Sequence, residues 1–244
     1  MLDAAQSRVA ALEAELAALR TEMQDFSYTV SHDLRASLRH ILSYAQLVQE
    51  DASALLPAET LGFLNTICDS ARHMALLMDG LMELSRLGTV VLQITAVPLQ
   101  PLLRELLGEF QPTEGAAIDW QVASDLPVVL ADAALLRAAL HALLHNAVKF
   151  TARRDSRRIE LSVLPADADA RVTLQLRDNG AGFNPSLQAK LFHPFARLHT
   201  TKQFAGIGMG LALTRKMLQR MDGEVQADGL VDGGCTLRLR LPRA

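Results

Sequence analysis

"VAALEAELAALRTEMQDFSYTVSHDLRASLRHILSYAQLV", residues 9–48, places apolar residues in steps of three and four. They are Val9, Leu12, Leu16, Leu19, Met23, Phe26, Val30, Leu34, Leu38, Ile41, Ala45 and Val48. That spacing is a heptad seam, and no glycine or proline interrupts it. It predicts one helix of nearly 50 residues, about 75 Å long. A seam of that length on one side needs a partner helix, which argues against an isolated surface helix. One polar pair, His32-Asp33, stands out. His32 lies two residues from both Val30 and Leu34, so at 100° per residue it points away from the seam.

"DASALLPAET" (51–60) supplies a turn, with Pro57 suited to a helix start and Glu59 to a first turn. A second helix follows on Leu61, Leu64, Cys68, Ala71, Ala75, Met78 and Met82, its face widened by Ile67, Met74, Leu77, Leu81 and Leu84. It ends near Leu87-Gly88. Two helices bury so broad a face incompletely, and a dimeric four-helix bundle completes it. Residues 1–25 read as an N-terminal coiled-coil signalling helix, 26–88 as the helical hairpin and 89–97 as a linker or edge strand. Residues 98–244 read as a separate domain.

In that domain the pattern changes. "LQPLLRELLGEF" and "DAALLRAALHALLHNAVKF" read as helices, and "RIELSVL" (158–164) and "RVTLQLRDNG" (171–180) as alternating strands. "SLQAKLF" and "GMGLALTRKMLQRM" return to helix, and "GEVQAD" with "GCTLRLRLP" closes the chain as a hairpin. This is a mixed α/β domain whose strands pair mostly as hairpins, with helices on one face.

The bulk properties narrow the function classes. Half the residues are hydrophobic and 21% charged, as in a globular protein. The net charge of −3 suggests no nucleic-acid or anionic-membrane surface. Cys68 and Cys235 form no metal or disulfide pattern, which fits a reducing compartment. No run reaches 18 apolar residues and the N-terminus has no signal-peptide core, so a cytoplasmic location without a membrane span is expected.

Three short stretches carry chemistry. In "LLHNAVKFT", Asn146 and Lys149 share a helix face. An amide oxygen suits Mg²⁺ and a lysine one turn on can meet a phosphate, although a solvated helix also presents such pairs. "RDNGAGF" (177–183) leaves a strand through Asp178, Gly180 and Gly182, where glycines permit close ligand approach; a plain turn is the alternative. "FAGIGMGLALTRK" (204–216) sets Gly206, Gly208 and Gly210 before an amphipathic helix whose N-terminal amides can seat a phosphate. No βαβ unit leads into it, so it is not the dinucleotide fingerprint. The three occur in this order within about 65 residues, with a polar segment at 197–203 that could cover a nucleotide.

Together with "SHDLRASL" and "FHPFARLH", these stretches resemble the histidine, N, first glycine, F and second glycine boxes of the transmitter module of bacterial sensor histidine kinases. The resemblance spans residues 20–244 and is strongest to kinases attached to phytochrome or PAS sensors. It implies a dimerisation and histidine-phosphotransfer hairpin, then a Bergerat-type α/β sandwich with a mixed, mostly antiparallel sheet that binds ATP and Mg²⁺. By this resemblance His32 is the phosphoacceptor, oriented by Asp33, and the phosphoryl group passes to an aspartate of a response-regulator receiver domain. A histidine side chain is largely neutral at pH 7, so one ring nitrogen offers a lone pair. Asp178 takes the adenine amino group, and Gly180 and Gly182 shape its pocket. Asn146 holds Mg²⁺ and Lys149 reaches the phosphates. Gly206, Gly208 and Gly210 let the lid close, and Thr236 supports the adenine end. Arg197 and Lys202 are candidate phosphate contacts, and Phe150, Phe192 and Phe195 packing or lid anchors. The partners implied are a second copy of the chain, a receiver domain and an upstream sensor outside this chain.

Two positions depart from the family pattern. The N box commonly carries a second amide four residues before Asn146, where this chain has Ala142. Members that also dephosphorylate their partner often carry Thr or Asn four residues after the phosphoacceptor; here that residue is Ala36, followed by Ser37 in place of a frequent proline. A kinase with little phosphatase activity is expected. The alternatives are a catalytically degenerate dimerisation and docking scaffold, or an ATPase of the wider superfamily, the latter disfavoured by the hairpin bearing an outward His-Asp.

Overall fold

The computed structural model describes residues 2–110, 117–165, 171–200 and 203–244, with the backbone alone for several residues up to 28. The chain divides into two compact units, Met1–Arg86 and Leu87–Ala244.

The first unit is a helical hairpin. Helix α1 runs Leu2–Ala52, 51 residues, as expected of an uninterrupted seam without glycine or proline. Its end is closed by the N–H groups of Leu55 and Leu56 donating to Ala52 O. Pro57, lacking an N–H, opens α2 (Ala58–Arg86), and its carbonyl accepts from Leu61 N–H. Two polar contacts set the antiparallel register: Arg35 to Asp79 at 2.6 Å and Gln49 to Asn65 at 2.7 Å. Between them Leu38, Ala71 and Met78 are buried, with Leu42 and Ala75 packed alongside. Ala45 is also buried, but most of the described seam stays open: Val9, Leu12, Leu19, Met23, Val30, Leu34, Ile41 and Val48 are exposed, as are Ile67, Met74 and Leu81 on α2. The side chains of Leu16 and Phe26 lie outside the described ones.

The second unit is an α/β sandwich. Strands β1 (Ile94–Pro98) and β3 (Val128–Asp132) pair antiparallel, flanking α3 (Leu99–Glu109) and β2 (Ile118–Val122) in sequence. After α4 (Ala133–Thr151) come β4 (Arg157–Leu164), β5 (Arg171–Asp178), a 3₁₀ turn (Pro185–Lys190), α5 (Gly210–Arg220), β6 (Glu224–Leu230) and β7 (Gly234–Pro242). The main sheet has the order β2-β4-β5-β7-β6, antiparallel except for the parallel β2–β4 pair. Alternation explains its two faces. Ile159, Leu161, Val172, Leu174, Leu176, Leu237, Leu239 and Leu241 are buried, while Gln175, Arg238 and Arg240 alternate with them on the polar face. Helices α4 and α5 cover the apolar face through Leu136, Leu140, Leu143, Leu144, Met217 and Leu218.

Ile94–Pro98, at the end of the segment read as a linker or edge strand, takes the second of those readings and pairs with β3. The residues before it are also held, because Arg220 donates to Leu87 O and Val90 O at 2.6 Å each. Two features differ from the sequence reading. "SLQAKLF" forms a 3₁₀ turn rather than an α-helix. It is capped by Asn184, whose Oδ1 accepts from Ser186 N–H, and it is too short to repay α-helical nucleation. Strands β2 and β3 carry no clear five-residue signal of their own and form through non-local pairing.

Candidate functional site

Helix α4 builds one wall of the site. Asp132 caps it by accepting from Ala134 and Leu135 N–H at 3.1 Å. A further N–H donor, Gln93, is the main cause holding the Asp132 carboxyl below the usual carboxylate range. Leu136, Ala139, Leu140, Leu143, Leu144 and Ala147 are buried, so the opposite stripe is left for a ligand. That stripe is His141, Ala142, His145, Asn146 and Lys149, all lining a cleft of about 450 Å³.

Asp178, at the end of β5, is the floor of the cleft and its only lining acid among the described residues. Its Oδ1 accepts from Gly180 N–H at 2.8 Å and Cys235 N–H at 3.3 Å, which leaves Oδ2 for a donor in the cleft. Burial pushes the carboxyl up to about 6, against those two N–H groups and the charge of Arg154. The following turn leaves no room for side chains. A Cβ at Gly180 would stand 2.7 Å from Phe150 O, and one at Gly182, where φ is +59°, would stand 1.8 Å from Leu230 O. Arg154 ties the turn down, donating to Asn179 O and Gly180 O at 2.9 Å and to Asp232 O at 2.6 Å. Arg154→Ala is expected to lower stability by about 2 kcal/mol and to loosen the cleft floor; thermal melting with and without ligand reads both effects.

The far wall comes from the segment between the 3₁₀ turn and α5 and from the first residue of α5. Ala196, Arg197, His199, Phe204, Gly206, Gly208 and Gly210 line it. Gly208 has φ +77°, and a Cβ there would lie 2.5 Å from Ala196 O. Aromatic packing seats the segment: Phe204 meets Phe150 edge-on at 4.9 Å, and His199 meets both rings at 5.1–5.4 Å. His199 Nε2 also lies 2.9 Å from Gly182 O. Phe195 sits in the left-handed region (φ 62°), a strained backbone for a bulky residue. Helix α5 starts from Met209 with no side-chain cap, so its first N–H groups are open to an anion.

Two cations face this cleft. Lys149 lies over the Phe150 ring at 4.5 Å and makes no ion pair among the described residues. Burial and the charge of Arg197 hold its ammonium below the usual lysine range. Arg197 donates to Phe204 O at 2.9 Å and likewise has no acidic partner among the described residues. Neighbouring cations without acids are stabilised by an anionic ligand.

In the hairpin unit, His32 is 64% exposed, and its Nδ1 lies 3.2 Å from Asp33 Oδ1. Ser37 Oγ donates to Asp33 O at 3.2 Å, and α1 continues without a break through the position.

The structure thus brings Asn146, Lys149, Asp178, Gly182, Arg197, Gly206, Gly208 and Gly210 to one cleft, with Gly180 beneath Asp178. His32 and Asp33 lie together on α1. Thr236 is not brought into the cleft. It shares the polar face of β7 with Arg238 and Arg240, while Cys235, paired with Asp178, lines the cleft. Burial, with the nearby Asp178 and Asp228 carboxylates, pushes the Cys235 thiol up to about 12. Lys202 lies outside the described residues. Cys235, Arg154, His199 and Phe204 were not expected from the sequence. The Leu-Arg-Leu-Arg-Leu alternation of β7 would have put Cys235 inward, whereas Arg154 left no sequence signal.

Two family models match the chain. Residues 22–89 match the His Kinase A (phospho-acceptor) domain, and residues 131–244 match the histidine kinase-, DNA gyrase B- and HSP90-like ATPases. The chain belongs to the bacterial sensor histidine kinase transmitter modules. Among curated relatives, the transmitter is 26% identical over 96% of its length to cyanobacterial phytochrome A of a Nostoc species. It is 30% identical over 89% of its length to the circadian input-output histidine kinase CikA of Synechococcus elongatus. It spans 30% of each of those proteins. Among solved structures, full-length ShkA in complex with AMPPNP shares 29% identity and a TM-score of 0.63, over 90% of the transmitter and 46% of that chain. The Acinetobacter baumannii histidine kinase AdeS shares the fold at TM-score 0.60 and 18% identity, over 87% of the transmitter and 98% of that chain. Among the described residues no helix is long and apolar enough to cross a membrane.

Proposed function

We propose that the transmitter is an ATP-dependent protein-histidine kinase that phosphorylates His32 and hands the phosphoryl group to an aspartate of a response-regulator receiver domain. The observation that carries this reading is the cleft itself. One buried carboxylate stands on a glycine turn that excludes side chains, and opposite stand two cations with no acidic partner among the described residues and a helix start with no side-chain cap. Asp178 Oδ2 accepts the exocyclic amine of adenine. Lys149, Arg197 and the α5 N-terminus take the phosphates. Among the described residues no three His, Cys, Asp or Glu side chains cluster to hold a metal. The Asn146 amide, which lines the cleft and makes no protein hydrogen bond among the described residues, offers a hard oxygen that would hold a Mg²⁺ ion. Such an ion would neutralise phosphate charge during transfer.

At His32 the tautomer that lets Nδ1–H donate to Asp33 leaves the lone pair on Nε2. Nε2 attacks the γ-phosphorus, a P–N bond forms, the bond to the β-phosphate oxygen breaks, and ADP leaves. Asp33 stabilises the charge that develops on the ring. The open apolar seam of α1 and the exposed face of α2 support a homodimer, in which a second hairpin covers both.

A scaffold without catalysis is the second reading, favoured by Ala142, which puts a methyl group on the cleft wall where a polar side chain is expected. Titration calorimetry with ATP and Mg²⁺ separates the two readings. The kinase reading expects saturable binding by each chain, whereas no heat of binding supports the scaffold. Ala36, which has no polar atom to orient a water, carries a further expectation. Adding unphosphorylated transmitter to a phosphorylated receiver domain leaves its rate of dephosphorylation within about twofold of the spontaneous rate. Strong acceleration would refute this.

A further inference from the structure

The cleft continues past Asn146. Ala142, His145 and His141 extend its α4 wall away from Phe150 and the adenine end, and from Asn146 to His141 is about 7.5 Å along the helix axis. His145 is exposed in the cleft, and neither of its ring nitrogens hydrogen-bonds a protein group among the described residues. Its ring is nonetheless placed. It stacks on His141 at 6.4 Å and 19°. His141 in turn rests on Phe110 at 5.2 Å, with Nε2 3.8 Å from Glu109 Oε2. Arg137 holds Glu109 at 2.5 Å and Glu105 at 2.8 Å, and Phe110 packs on Trp120 of β2. A side chain braced from behind and unpartnered in front is arranged for a ligand rather than for packing.

The order along the wall identifies the ligand atom. Asp178 marks the adenine end, Asn146 and Lys149 face Gly210 and Gly206 at the middle, and His145 lies one step further out. We propose that His145, braced by His141, contacts the outermost phosphate of the bound nucleoside triphosphate. It thereby supplies the polar contact that Ala142 does not, and makes the site prefer triphosphate over diphosphate. A ring N–H donates to a terminal phosphate oxygen, a bond that a diphosphate in the same pose cannot make. His145 is a positioning and specificity residue in this role. The inference rests on the nucleotide reading of the cleft.

The test measures the affinity of the full chain, with Mg²⁺, for ADP and for a non-hydrolysable ATP analogue. In His145→Ala, analogue affinity is expected to fall about fivefold to tenfold while ADP affinity stays within about twofold. His145→Gln, which keeps a donor, retains most of the preference. Adding Ala142→Asn to His145→Ala restores it, because the amide returns to the wall one turn away. Equal loss for both nucleotides, an unchanged preference in His145→Ala, or a glutamine variant as weak as alanine would each overturn the role of His145 and leave the cleft assignment standing. Binding of neither nucleotide by the unaltered protein would overturn both.

Discussion

Replacing His32 by glutamine is expected to abolish phosphoryl label on the protein altogether while leaving ATP binding unchanged. Glutamine keeps the size and polarity of the site but has no nucleophilic ring nitrogen. The side chain is 64% exposed on the outer face of α1, so the hairpin core at Leu38, Ala71 and Met78 does not depend on it. The cleft is built wholly from residues of the other compact unit, so nucleotide affinity should stay within about twofold. The split matters more than the loss, because loss of both label and binding would point to misfolding. Asp33→Asn provides the graded companion. It keeps a hydrogen-bond acceptor but removes the charge, and should slow labelling by about 10²-fold without abolishing it.

The second large effect is expected at Asp178. In Asp178→Asn the side-chain oxygen can still take the Gly180 and Cys235 N–H groups. The amide then turns a donor toward the adenine amine, setting donor against donor. A charge-assisted hydrogen bond lost and a buried mismatch gained cost about 3 kcal/mol, or roughly 100-fold in ATP affinity. Binding to the unaltered protein should also depend on pH. Burial pushes Asp178 up to about 6, and protonation converts the acceptor at Oδ2 into a donor. ATP affinity is therefore expected to fall as pH drops from about 7 to about 5, with the Asp178→Asn variant flatter over that window. Folding stability moves the other way. A carboxyl near 6 in the folded chain and near 3.8 unfolded binds its proton more tightly when folded. Its contribution to stability is greatest below about pH 4 and is lost as pH rises through about 6, on the order of 3 kcal/mol. The ligand-free protein should thus gain stability relative to Asp178→Asn as pH falls from 7 to 4. Denaturant midpoints of the pair read that difference, and parallel pH profiles would contradict the buried-acid assignment.

Much of this was legible in one dimension because the responsible interactions are local. The α1 seam, the β4–β5 and β6–β7 hairpins and the glycine turns each declare themselves through a period or a breaker within about ten residues. The face of α4 carrying Asn146 and Lys149 follows from 3.6-residue periodicity alone. What escaped depends on distant partners. β2 forms because it lies parallel to β4, about 40 residues on. Arg154 reaches Asn179, Gly180 and Asp232 across three loops. The His199–Phe204–Phe150 cluster joins the lid to α4, a contact no spacing encodes. Thr236 is the instructive case. The family pattern drew attention to the hydroxyl, but strand alternation puts it on the face of Arg238 and Arg240 and gives the cleft Cys235 instead.

Incubating the unaltered protein with Mg²⁺ and ATP labelled in parallel at the γ- or the α-phosphate asks whether the cleft feeds His32. Label from the γ-position alone, lost in mild acid, stable in base and mapping to the peptide that contains His32, is the expected result. Label arriving from the α-position, label that survives acid, or saturable ATP binding with no label on that peptide would contradict transfer from this cleft to His32.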